Sequence, residues 1–75
     1  MFQVITKRGQ FLGSFATLTD AVASVHASRL KRNDEARIRR NGELFARAYR
    51  IARITSVVIK NDEIYNYCPI TEQLL

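Results

Sequence analysis

The sequence predicts a small α+β fold. Three observations predict it: runs of β-branched and aromatic residues toward both ends, a capped amphipathic stretch between them, and Asn-Gly and Asn-Asp pairs spaced as hairpin turns. The expected architecture is an N-terminal β-hairpin and one amphipathic helix, followed by an antiparallel meander of two to four strands. It forms a single layer of sheet with the helix on one face. Seventy-five residues leave room for one core, so residues 1–75 read as a single domain.

The first hairpin is read from FQVIT at 2–6, a turn at Arg8-Gly9, and FLGSF at 11–15. Gly13 inside the second strand suggests a bulge or a close approach by another element. Thr17-Leu18-Thr19-Asp20 has the form of a capping box, so a helix should start at Leu18. Leu18, Ala21, Val22, Val25 and Leu30 form its apolar stripe, and its end is expected around 31–33.

Gly42 could cap a helix or complete an Asn41-Gly42 type I′ turn. The turn is favoured because Ile38 stands alone among charges and gives a helix no stripe. Residues 44–59 read as one long strand, or as two with a bend near Thr55-Ser56. Asn61-Asp62 then turns the chain into a last strand, with Pro69 at its end and TEQLL as a tail. The strand-turn-FLGSF-strand opening with its capped helix resembles three-stranded-sheet DNA-binding modules of the integrase-arm type over about a quarter of the chain. The hairpin lacks a tryptophan and the chain continues into further strands, so no functional residue is carried over.

An apolar fraction of 47% with 25% charged residues excludes the composition of a disordered chain. One cysteine, Cys68, cannot form an internal disulfide, and one histidine cannot complete a zinc site, so packing must hold the fold. No apolar run reaches the ~20 residues of a membrane span. The first ten residues also lack the apolar centre of a signal peptide, which makes the cytoplasm the expected compartment.

Catalysis needs convergent titratable groups, and no P-loop, dinucleotide-binding glycine pattern, HExxH or paired-cysteine motif is present. His26 reads as a packing residue and Cys68 as a small apolar one. The expectation is a protein without catalytic residues, metal or cofactor.

Charge points further. The chain carries +5, and nine basic residues against three acids concentrate +6 between Arg29 and Arg53. An anionic partner follows, either nucleic acid or an acidic protein surface. Splitting 44–54 by strand period sends Leu44, Ala46, Ala48, Ala52 and Ile54 inward with Arg50 as an exception, and Phe45, Arg47, Tyr49, Ile51 and Arg53 outward. In the last strand Tyr65 and Tyr67 would join the outer face while Ile64, Cys68 and Ile70 turn inward.

The candidate site is therefore Arg37, Arg39 and Arg40 at the hairpin tip with Phe45, Arg47, Tyr49, Arg53, Tyr65 and Tyr67. An Arg/aromatic sheet face of this kind suits single-stranded nucleic acid, through stacking and phosphate contacts. The alternative is a small inhibitor or adaptor, of the kind phages encode, that meets an acidic host-protein surface such as nucleic-acid-processing machinery. A face with this much apolar surface would also fit a homodimer.

Overall fold

The computed structural model describes residues 1–28, 34–52, 55–71 and 73–75. Seven antiparallel strands and one helix follow in the order β1 (Phe2–Thr6), β2 (Phe11–Phe15), α1 (Leu18–Ala27), β3 (Glu35–Arg40), β4 (Glu43–Ala52), β5 (Thr55–Lys60), β6 (Glu63–Cys68) and β7 (Gln73–Leu74). They make one sheet in the order β2-β1-β3-β4-β5-β6-β7, curled into a half-barrel. Five strands follow the helix where two to four were expected, because 44–59 is a hairpin of two strands and the tail adds β7.

Local chemistry sets the ends of each element. The Thr17 hydroxyl accepts a hydrogen bond from the Asp20 N–H at 3.1 Å and so satisfies one of the orphan donors of the first turn. Ser28 caps the other end, with its N–H on the Val25 carbonyl, so α1 stops earlier than its apolar spacing suggested; Leu30 lies outside the described residues. Asn41 (φ 54°) and Gly42 (φ 80°) are both left-handed, as a type I′ turn requires, and Asn61 (φ 50°) and Asp62 (φ 65°) repeat the device between β5 and β6.

Three irregularities interrupt the register. The extra residue is Leu12 on β2, Phe45 on β4, and Ile51 further along β4. A bulge bends its strand and increases the local twist, so three of them in the first five strands help to curl the sheet. Gly13, at φ 138°, sits beside the first. A Cβ there would lie 3.1 Å from the Phe15 ring, so the bulge expected at this glycine is present and depends on it.

The curl wraps the strands around α1, which touches β1 and β2 on one side and β4, β5 and β6 on the other. Ala21, Val22 and Val25 of the helix are buried against Val4, Ile38 and Val58 of the sheet. Ala36, Ala46 and Ala48 are buried in the same core. Their small side chains let the helix sit low in the curl. Phe2, Leu12, Phe15 and Leu18 close its margins.

Among the described residues Ile38 is the largest side chain that is fully buried. Ile38→Ala should cost about 2 to 5 kcal/mol, comparable to all the stability that a core of this size supplies. Urea unfolding followed by circular dichroism should find the variant largely unfolded. A loss below about 1 kcal/mol would show that the core is centred elsewhere.

Candidate binding face

The outward side of the curled sheet carries a cross-strand row set by the register: Phe11 on β2, Ile5 on β1, Arg37 on β3, Arg47 on β4, Ile59 on β5 and Ile64 on β6. The adjacent row holds Glu35, Tyr49 and Val57, and on the other side lie Gln3, Arg39 and Leu44. Two arginines therefore stand directly opposite each other at the centre, with aliphatic neighbours on both flanks.

Like charges placed opposite each other destabilise a strand pair. Glu35 offsets this. Its Oε1 lies 3.6 Å from Arg37 Nε and 3.4 Å from Arg47 Nε, and its side chain is only 17% exposed. That oxygen has no hydrogen-bond partner, so it acts on both guanidiniums through charge alone. The arginine side chains stay 47% and 52% exposed. Both ion pairs use Nε. Beside Arg47 a cleft of about 290 Å³ opens between Leu44 and Ile59 and runs to the Asn61-Asp62 turn.

This face differs from the one expected. Arg37, Arg39, Arg47 and Tyr49 are on it. Phe45 is not: as the extra residue of its bulge it turns to the core side, where its ring meets Phe2 edge-on at 5.1 Å and Lys60 Nζ lies 4.7 Å from its centre. Arg40 belongs to that same rim, 5.5 Å above Phe2. Tyr65 and Tyr67 also point to the helix side, because Val58 and Ser56, their partners on β5, are core residues. Tyr67 is buried, and the hydroxyl of the half-buried Tyr65 donates to the Glu63 carboxylate. Ile64 and Ile70, expected inside, are 65% and 91% exposed. On β4 the bulge at Phe45 is the cause, since it reverses the period-2 assignment on its N-terminal side, whereas β6 takes its faces from its register with Ser56 and Val58. Leu44, expected inward, is accordingly exposed and falls in register with Arg39. Arg53 and Ile54 lie outside the described residues, as do the side chains of Ile51 and Ala52.

A second polar group sits inside the curl, and the sequence reading missed it. Arg50, Ser56 and Tyr67 are consecutive partners across β4, β5 and β6, and His26 of α1 reaches down to them. His26 Nδ1 is 2.7 Å from Ser56 Oγ, and its ring lies 5.5 Å from that of Tyr67. Ser56 is fully buried, so the histidine is the partner that makes burial of its hydroxyl tolerable. A helical histidine separated from Ser56 by thirty residues leaves no local signal of this contact. Among the described residues no three of His, Cys, Asp or Glu come together as metal ligands, and no helix is long and apolar enough to cross a membrane.

Comparison of the chain with protein-family models, with curated proteins and with solved structures finds no match.

Burial, and secondarily the positive charge of Arg50, hold the pKa of His26 below its usual 6.5. The unfolded chain then binds a proton at higher pH than the folded one. Stability is full above about pH 6.5 and falls as pH drops from there toward the folded-state pKa. Thermal melts across pH 7.5 to 5 should show this fall in the wild type and lose most of it in His26→Gln. An unchanged pH slope in the variant would remove His26 as its source.

Proposed function

We propose that this chain is a small binding module without a catalytic role, that it works through the outer face of its sheet, and that its partner is an acidic protein surface. The observation that carries the reading is the central row, with Arg37 opposite Arg47 between Ile5 and Ile59. Exposed arginines give an acidic partner something to pair with, and aliphatic shoulders give it apolar area to bury. Tyr49 beside them adds the residue types over-represented where binding energy concentrates. The overall charge of +5 would speed encounter with such a surface.

Nucleic acid is the competing partner. A single-strand platform needs successive exposed rings, and with Phe45, Tyr65 and Tyr67 on the core side the described residues leave this face Tyr49 on β4 and Phe11 on β2, three strands apart and not adjacent. Ile5, Val57 and Ile59 offer nothing to a phosphate backbone. Self-association through the face is disfavoured by charge, since a second copy would bring Arg37, Arg39 and Arg47 against their own counterparts.

Affinity capture from a nuclease-treated extract of the organism that encodes the chain should recover one protein near equal stoichiometry. Arg47→Glu should abolish its recovery. Submicromolar, steeply salt-dependent oligonucleotide binding that Arg47→Glu abolishes, with no protein recovered, would overturn the reading in favour of nucleic acid. Sedimentation of the purified chain should report a monomer at all concentrations. A dimer that tightens with added salt would assign the face to self-association instead, because salt screens the repulsion that opposes it.

A further inference from the structure

Glu35 is the unusual member of the outer face. A carboxylate on the contact surface of a basic protein lowers its attraction for anions, and this one is partly buried, with an oxygen that has no hydrogen bond. Burying a charged oxygen in this way is costly unless its charge is used. Its use is visible in the geometry: one oxygen stands between two Nε atoms on opposed strands and draws both guanidiniums toward the same point. We infer that Glu35 is a specificity-determining residue, which holds Arg37 and Arg47 as an ordered pair for a protein partner while weakening their grip on nucleic acid. This inference rests on the protein-partner reading above.

The two partner classes respond oppositely to an internal carboxylate. Affinity for a phosphate backbone tracks how many phosphates the protein neutralises, almost irrespective of where the cations sit. A built-in anion between two arginines removes about one such contact. A protein surface is recognised by fixed groups, and side chains ordered before encounter lose less freedom on binding, so the same carboxylate helps there. Charge repulsion between Arg37 and Arg47 alone would spread the pair, and Glu35 is what holds both Nε atoms to one point.

The test uses the purified chain and a labelled single-stranded oligonucleotide, titrated by fluorescence anisotropy at several salt concentrations. With wild-type protein the binding should be weak at physiological salt. In Glu35→Gln, which keeps the shape and removes the charge, affinity near 50 mM salt should rise about eight-fold, and the salt slope should steepen by about 0.7, the share of one single-strand phosphate. Circular dichroism establishes that the variant is folded. Should it not be, Glu35→Thr removes the same charge with a β-branched residue suited to a strand.

Weak wild-type binding that neither folded variant strengthens would overturn the role given to Glu35 and leave the protein-partner reading standing. Tight wild-type binding at physiological salt would overturn that reading itself. The two failures are thus distinguishable.

Discussion

A single ten-residue helix has to cover the inside of a seven-stranded sheet, and the rest of the structure follows from how that is achieved. A flat sheet of this width would leave most of its inner face wet. The sheet instead bends at Leu12, Phe45 and Ile51 until strands from both halves reach the same helix. Alanines at 36, 46 and 48 contribute to the core beneath it, so the larger Val22 and Val25 pack against Val4, Ile38 and Val58 without lifting the helix from the sheet. Two of the bulges also supply apolar cover: Leu12 and Phe45 are both turned onto the margin of the core.

The same bending divides the chemistry of the molecule. Most aromatic rings, which fill volume well, are drawn to the concave side, where Phe2, Phe45, Tyr65 and Tyr67 line the core and its rim, and Phe11 and Tyr49 stay outside. Of the guanidiniums, Arg37, Arg39 and Arg47 remain on the convex side, while Arg40 stands at the concave rim over Phe2 and Arg50 lies in register with Ser56. The polar groups that do enter the interior arrive matched: Ser56 with His26, and Thr6 Oγ1 with the N–H of Gln10. Glu35 is the exception. It stands at the boundary of the two regimes, paired by charge and not by hydrogen bonds, and this is what sets it apart from other acids of the surface.

Much of this was legible in the residues. Turn chemistry located the Asn41-Gly42 and Asn61-Asp62 hairpins, because left-handed backbone is tolerated by few residue types, and Thr17 marked the helix start for a similar reason. The inward alanines and the outward Arg47 and Tyr49 followed from strict alternation. The faces of Phe45 and Leu44 did not, because a bulge adds one residue and inverts the alternation beyond it, and nothing in ELFARAYRIA distinguishes the extra residue from its neighbours. The face of β6 is set by its register with Ser56 and Val58 of β5, which alternation within EIYNYC does not supply. In the fold Tyr67 is inside with His26, a contact between distant segments that no local pattern encodes. The charge concentrated in 29–53 was plain, but the opposition of Arg37 and Arg47 across one carboxylate depends on register, which period alone does not supply.

The strand order has a consequence for how the chain finds this shape. Among the described pairings, β1 with β2 and every pair from β3 to β7 join neighbours in sequence across short connections. Only β1 with β3 closes over a long stretch, from Thr6 to Glu35, with β2 and α1 inside the loop. Five strands can therefore assemble from local contacts alone, and loop-closure entropy is concentrated at one seam. That seam holds Val4 against Ile38. The barrier to folding thus falls where the N-terminal hairpin and its helix meet the edge of a meander that is already in place.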